Sequence, residues 1–276
     1  MKTILIPTDF SDTAANAAQY AAAFASAYGF TKIILYNTYE APISADPAMP
    51  AVQLFDIDVL KKDSEEGLLK FKERTFANGF PDVEVETFSE FQNLNTGIED
   101  ICEARNVNLV IMGITGGGKV EEALIGSNTI SVAKHSHVPV IIVPQEAKYN
   151  RVEEILLACD FKKVAETTPI TPLKMLLDFT KAKLFVLHIN ANNKETDVNP
   201  EECKALDNLL LGYSPEFNFI HDNHFTDAIN DFAYEKNVDM IVTIPKKHGF
   251  FEGLFHKSHT KQLAFHSHIP IMVLHD

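Results

Sequence analysis

The sequence predicts an α/β protein built from two tandem copies of one doubly wound domain. Two observations predict this class. The chain of 276 residues contains the same apolar segments twice, in the same order, and segments with helical spacing of apolar residues run between them. Short apolar strands alternating with amphipathic helices are typical of a parallel sheet covered on both faces. Each copy is therefore expected to hold a five-stranded parallel sheet, and the copies are expected to pack as an internal pseudo-dimer.

The repeat is visible in four pairs of segments. With the segment of the first copy named first in each pair, the pairs are Ile4–Phe10 with Ile155–Phe161, Lys32–Asn37 with Lys183–Ile189, Asn106–Met112 with Asn237–Thr243, and Lys134–Val143 with Phe265–Leu274. The join falls near Glu146–Arg151, so the domains are predicted to span residues 1–146 and 151–276. The offset between copies falls from 151 residues to 131, so the first copy carries about twenty extra residues. Most lie in Tyr39–Asp56, which is expected to form a loop or short lid beside the ligand.

The strands and helices follow from the apolar pattern. Short apolar runs suit strands that are buried on both faces of a sheet, and examples are TILIP, KIILY, LVIMG and VPVIIV. Ser11 or Asp12 can cap the first helix, and Gly29 can end it. Ligands of a doubly wound sheet bind beyond the carboxyl ends of the strands, at the topological switch point. Functional residues are therefore expected at that edge.

Composition excludes several classes of protein. The formal net charge of −14 disfavours general binding to nucleic acids or anionic membranes. No apolar run approaches eighteen residues and the first residues lack a secretory pattern, so we expect a cytoplasmic protein without a membrane span. Cys102, Cys159 and Cys203 are odd in number and not in CxxC spacing, which predicts reduced thiols.

A glycine-rich segment, GITGGGKVEEALIGSN, follows the predicted fourth strand. Glycine lets backbone N–H groups approach an anion closely, and a helix that begins at the end of this segment would offer a phosphate its free N–H groups and its dipole. Ser127 adds a hydroxyl donor, and Lys119 is a candidate positive charge. The spacing matches neither GxxxxGK[ST] nor GxGxxG. It is defined by Gly113, Gly116, Gly126 and Ser127.

The chain resembles the universal stress protein family in its tandem two-domain form. The resemblance covers almost the whole chain and rests on ILIPTD, on LVIMG followed by the spaced glycines, and on VPVIIVP. It implies a fold like that of the adenine nucleotide alpha hydrolases and a site for ATP, with Mg²⁺ on the phosphates. The implied nucleotide-binding residues are Pro7, Thr8 and Asp9 at the adenosine, Asn37 facing adenine, Met112, Gly113 and Gly116 beside the ribose and phosphates, and Gly126, Ser127 and Asn128 at the phosphates.

Several of these assignments have a plainer structural alternative. Asp9 could only cap the first helix, and the glycines could only shape a loop. The family often has a basic residue near Thr115 and Gly117, and this chain has Lys119 instead. The plainer interpretation of Lys119 is a solvated side chain. His256 and His259 have ligand-like spacing, but the HSH sequence near them also occurs in the first copy, so inherited repeat sequence is favoured over a metal site.

No catalytic constellation is apparent, because Ser127 lacks an obvious base and the cysteines show no nucleophile signature. The first interpretation is a stress-response regulatory protein that binds ATP in its first copy, with slow or no hydrolysis. It would act on a regulatory protein partner that the sequence does not identify, and homodimer formation stays open. The alternatives are an adenine-nucleotide hydrolase or adenylating enzyme on the same fold, and an interaction scaffold that holds no nucleotide.

The second copy is expected to have lost the ATP site. Alignment of the two HSH segments places Ile244, Lys247 and Lys257 at the positions of the three glycines, and only Ser258 keeps its type. Long side chains there would fill the volume that phosphates need. Asp160 persists opposite Asp9. The lysines of this region form a basic cluster, so a different anion or an acidic partner remains an alternative there. They are Lys246, Lys247, Lys257 and Lys261.

Overall fold

The structure is a computed structural model. It describes residues 2–40, 56–77, 79–80, 82–114, 126–190, 198–245 and 268–275. Gly116 and Lys119 lie outside the described residues, as do most of the insertion after the second strand and the lysine cluster of the second copy. The predictions that concern them stay predictions.

The first half alternates strands and helices as predicted. Its strands are β1 (Thr3–Pro7), β2 (Lys32–Tyr39), β3 (Glu84–Phe91), β4 (Leu109–Gly113) and β5 (Val140–Val143). Its described helices are α1 (Asp12–Tyr28), α2 (Ile57–Phe76), α3 (Leu94–Ala104) and α4 (Ser127–His135). Ser11 caps α1 by accepting the amide of Ala14 at 3.2 Å, and Gly29 ends it with φ of 70°. Glycine adopts this left-handed conformation without steric cost, so both predicted caps are confirmed.

In its described residues the second half repeats this order, except in the segment that follows its first strand; residues 246–267, between β9 and β10, lie outside the described residues. Its strands are β6 (Glu154–Ala158), β7 (Lys183–Asn190), β8 (Glu216–His221), β9 (Met240–Thr243) and β10 (Ile271–Val273). Its described helices are α5 (Val164–Thr167), α6 (Ile170–Thr180), α7 (Pro200–Leu209) and α8 (Phe225–Glu235). Two helices, α5 and α6, replace the single helix α1. Pro169 explains the break, because it lacks an amide proton and forces Thr168 into an extended conformation.

One ten-stranded sheet joins the halves, in the order β3-β2-β1-β4-β5-β10-β9-β6-β7-β8. Every pair within a half is parallel. The last strands, β5 and β10, pair antiparallel, with Ile141 opposite Met272. The copies therefore pack as the predicted internal pseudo-dimer, and they do so through their last strands.

Helices cover both faces of the sheet. Helices α1, α2, α6 and α7 contribute buried side chains to one hydrophobic layer, and α3, α4 and α8 contribute to the other. No helix in the described ranges is long and apolar enough to cross a membrane. The inner strands β1, β4, β5, β6, β9 and β10 are buried on both sides, which is why they appear in the sequence as continuous rather than alternating apolar runs. The edge strands β3 and β8 carry polar residues between their apolar ones.

The junction between the halves also contains aromatic packing. The ring of Phe179 on α6 lies 6.1 Å from that of Phe24 and 5.2 Å from that of Tyr28, both on α1. The Tyr28 hydroxyl accepts the amide of Val152 at 3.0 Å. The halves therefore share a core in addition to the β5–β10 pair.

The repeat extends to single backbone angles. Phe10 and Phe161, which follow the first strand of each half, both have positive φ, at 67° and 48°. Asn106 and Asn237, which precede β4 and β9, have φ of 50° and 51°. Such angles are uncommon for residues other than glycine, and for a bulky residue such as Phe they are rare. Their recurrence at matching positions indicates that the turns, and not only the strands, are repeated.

Candidate functional site

The candidate residues of the first half meet at the topological switch point of its sheet. Strand β1 lies between β2 and β4, so the chain leaves β1 and β4 toward opposite sides. Thr8 and Asp9 follow β1, Asn37 lies near the end of β2, and Gly113 ends β4. Because parallel strands end at the same edge, the structure brings these residues to one edge, where doubly wound proteins bind ligands.

The turn between β1 and α1 is tightly hydrogen-bonded. The amide of buried Thr8 donates to the carbonyl of Tyr36 at 2.8 Å, and its hydroxyl accepts the amide of Phe10 at 3.0 Å. Exposed Asp9 accepts the amide of Ser11 through Oδ1 at 3.1 Å. Asp9 therefore supports the start of α1, while Ser11 is the residue that caps it. A role for Asp9 toward a nucleotide stays a prediction.

Asn37 joins this turn to the rest of the sheet. Its Nδ2 donates to the carbonyl of Thr8 at 2.8 Å, and its Oδ1 accepts the hydroxyl of Ser64 at 2.6 Å. The Ser64 hydroxyl also lies 2.6 Å from that of Ser89. The sequence interpretation missed Ser64 and Ser89. A serine among the apolar residues on the buried face of α2 is the signal that could have pointed to Ser64.

Tyr36, which precedes Asn37, is fully buried beneath the site. Burial raises the pKa of its phenol well above the ordinary value, and the hydrogen bond that it donates to Glu90 at 2.7 Å acts in the same direction. Gly97 of α3 makes room for the hydroxyl, because a Cβ at this position would collide with it. Tyr36 is therefore a neutral, fixed support for the strand that carries Asn37.

Gly113 has a packing reason that the sequence did not reveal. A Cβ on Gly113 would lie 2.8 Å from Cγ2 of Thr13 and 3.0 Å from its carbonyl oxygen. Helix α1 therefore approaches the end of β4 more closely than a side chain would permit. The Thr129 hydroxyl donates to the carbonyl of Gly113 at 3.0 Å, which fixes α4 to the same strand end. The preceding Met112 is buried in the core, and the roles of both residues toward a ribose stay predictions.

Helix α4 begins at this edge, as predicted. The amide of Gly126 donates to the carbonyl of Ile114 at 2.8 Å, so the chain returns to the end of β4 where α4 starts. Gly126 is the N-cap residue, and no side chain caps the helix. Ser127 and Asn128, in the first turn, are exposed. The uncapped N–H groups and the positive end of the helix dipole together favour an anion at this position.

The comparison with known families agrees with this architecture. The sequence profile of the Universal stress protein family matches residues 1–144, just over half of the chain. The chain belongs to the universal stress protein family. Universal stress protein MJ0531 of Methanocaldococcus jannaschii is 30% identical over 147 residues, which are 53% of this chain and 84% of that protein. Universal stress protein MJ0577 of the same organism is 29% identical over 157 residues, with coverage of 52% and 96%.

A solved universal stress protein matches nearly the full length. The crystal structure of a universal stress protein from Archaeoglobus fulgidus DSM 4304 has a TM-score of 0.66 and covers 98% of this chain and 97% of its own. Its identity of 19% limits the comparison to the fold. The curated relatives therefore match about half of this universal stress protein, and the solved structure shares its fold over 98% of the chain.

The corresponding edge of the second half has different chemistry. His188 occupies the register position of Asn37, and its Nδ1 lies 3.0 Å from the carbonyl of Cys159. The rings of His188 and Phe219 each lie 5.7 Å from that of Phe161. Asp160 accepts the amide of Lys162 at 3.1 Å, which matches the bond that Asp9 accepts from Ser11 in the first half. The second half thus keeps the turn and replaces the polar residues beside it with aromatic ones.

Proposed function

We propose that the first half of this universal stress protein binds ATP at the carboxyl edge of its sheet. The N-terminus of α4 holds the phosphates, and the turn at Thr8 and Asp9, together with Asn37, forms the adenosine side. The observation that carries the proposal is the uncapped, exposed start of α4 directly beside the switch point.

A local device of this kind is needed because the protein as a whole repels anions. With a formal net charge of −14, bulk electrostatics disfavours a triphosphate. Ser127 and Asn128 provide exposed N–H groups at the positive end of α4, where an anion is stabilised. Gly116 and Lys119, outside the described residues, would complete the phosphate contacts, and Mg²⁺ on the phosphates would offset part of their charge.

The proposed role is regulatory rather than catalytic. We expect slow or no hydrolysis, because the sequence offers no obvious general base for Ser127 and no nucleophile signature at its cysteines. ATP would then act as a ligand that fixes the edge of the sheet for a protein partner, in keeping with a stress-response family. The chain carries a single site on this proposal, because Ile244 stands at the Gly113 position and His188 at the Asn37 position.

Calorimetric titration of the full chain with ATP and Mg²⁺ tests the proposal. Saturable binding is expected, and Gly126→Val should abolish it, because a branched Cβ would occupy space beside the phosphates. An absence of binding heat up to millimolar ATP would favour the nucleotide-free scaffold. Steady ATP consumption by the purified chain would favour the hydrolase instead.

A further inference from the structure

A chain of three hydrogen bonds crosses the adenosine side of the candidate site. It runs from Ser89 on β3 to Ser64 on α2, then to Asn37 on β2, and ends on the carbonyl of Thr8 after β1. The donor–acceptor distances are 2.6, 2.6 and 2.8 Å. We call these four residues the relay. It ties three strands and one helix together at the edge where the nucleotide is proposed to bind.

The chemistry of the groups fixes the direction of the relay. The Thr8 carbonyl can only accept, so Asn37 turns Nδ2 toward it and Oδ1 toward Ser64. An amide oxygen also only accepts, so Ser64 donates its single hydroxyl proton to Asn37. The Ser64 oxygen is then left to accept the hydroxyl proton of Ser89. The direction of every bond is thus fixed, and Ser64 is the member that accepts from one side chain of the relay, Ser89, and donates to another, Asn37.

A serine at position 64 would lower the stability of the protein if its hydroxyl were not hydrogen-bonded. Ser64 is 4% exposed on the face of α2 that also buries Leu68 and Phe71. A buried hydroxyl destabilises a protein unless it is hydrogen-bonded, and serine is a weaker helix former than the residues usual at such positions. An apolar residue would pack there as well, so packing alone does not account for a serine.

Within the described residues, the relay occurs only in the half that carries the candidate site. Asn37 is in register with Ser89, and the equivalent pair in the second half is His188 with Phe219. There the His188 ring reaches the carbonyl of Cys159 directly, and within the described part of α7 no hydroxyl takes the place of Ser64. In the described part of the second half, the His188 ring therefore contacts the turn directly, without an intervening hydroxyl.

We propose that Ser64 is a positioning residue of the ATP site. It does not touch the nucleotide. It orients Asn37, and through Asn37 it fixes the Thr8 carbonyl and the turn that presents Asp9, so that the adenosine side is formed before ATP arrives. The proposal rests on the proposed function above, and it predicts a selective effect on the nucleoside end of the ligand.

Helix α2 also contains a matched control for the removal of the Ser64 hydroxyl. Thr75 lies on the same buried face, is 7% exposed, and its hydroxyl has no hydrogen-bond partner within the described ranges. Thr75→Val removes a buried hydroxyl without breaking a relay, whereas Ser64→Ala breaks two of the three bonds. Calorimetry should compare ATP, adenosine and inorganic triphosphate as ligands of both variants and of the wild-type chain.

Ser64→Ala is expected to weaken ATP and adenosine binding about tenfold each and to leave triphosphate binding unchanged. Thr75→Val should leave all three unchanged. Asn37→Ala should cause a similar loss, and the double variant of Ser64 and Asn37 should lose no more than either single variant, because both act through the same carbonyl. Unchanged ATP affinity in Ser64→Ala, or an equal loss for all three ligands, would overturn the proposal.

Hydrogen exchange in the ligand-free chain gives a second, independent readout. The amides of Phe10 and Ser11 are bonded within the turn, and Ser64→Ala should make them exchange faster while Thr75→Val does not. If the wild-type chain binds no ATP, the proposed function fails, and hydrogen exchange alone then tests whether the relay orders the turn. Faster exchange would then support the relay as the element that orders the turn, and unchanged exchange would overturn it.

Discussion

The glycine at position 113 has two possible reasons, close approach of the backbone to a ligand and close packing against helix α1. The glycine spacing suggested close approach to a ligand, while the structure shows close approach to Thr13 of α1. Gly113→Ala is therefore expected to destabilise the protein by about 1–3 kcal/mol through overpacking, whether or not ATP is present. Urea unfolding measures this. Adding Thr13→Ser removes Cγ2 but leaves the backbone contact, so it should restore only part of the loss. An unchanged unfolding midpoint in Gly113→Ala would show that the strand end has room.

A substitution at Ser127, in the first turn of α4, should have opposite effects on helix stability and on ATP affinity. Ser127→Asp places a carboxylate in the first helical turn, where it should stabilise the helix by about 0.3–1 kcal/mol. The same carboxylate should repel ATP phosphates and reduce affinity more than tenfold at low salt. Thermal unfolding and calorimetry measure the two effects, with Ser127→Ala as the uncharged control. ATP affinity that is equal in Ser127→Asp and in the wild-type chain would place the phosphates elsewhere.

The sequence could predict residues whose signal is local. A glycine followed by Ser127 and Asn128 marks a helix start, and α4 begins there. Ser64 and Ser89 could not be found in this way, because each is defined by a partner at least 25 residues away. Only the assembled sheet and helix bring them together.

At the scale of elements, α6 is the helix that couples the halves. Phe179 contacts Phe24, Tyr28 and Phe30 of the first half. Phe179→Ala should therefore destabilise the whole chain by about 2–4 kcal/mol. Met175→Ala is the matched control in the same helix, because Met175 is 57% exposed and should change stability by less than about 0.5 kcal/mol. Chemical unfolding followed by circular dichroism measures both. Equal midpoints for the two variants would contradict a shared core.

The elements themselves were largely predictable because their apolar periods are strong. The exception is the break between α5 and α6. A proline inside an apolar pattern signals a break, but the repeat favoured a single helix like α1. Pro169 breaks it, because it has no amide proton and Thr168 before it is extended.

At the scale of the whole molecule, the antiparallel β5–β10 pair closes an edge that each half would otherwise expose. A fragment of residues 1–148 should expose β5 and form a dimer through it, because a buried apolar edge strand is prone to pairing. Sedimentation at increasing concentration measures this. The full-length chain is the control, since its β5 is already paired. A fragment that stays a soluble monomer at every concentration would argue against this role for the strand.

The stoichiometry of ATP binding decides whether the first half holds a single site. Calorimetric titration of the full chain with ATP and Mg²⁺ should give one ATP per chain. Ser127→Asp should abolish or strongly weaken this binding, while a matched change at the second half, His188→Asn, should leave it unchanged. Two ATP molecules per chain, or binding that survives Ser127→Asp and is lost with His188→Asn, would rule out a single site in the first half.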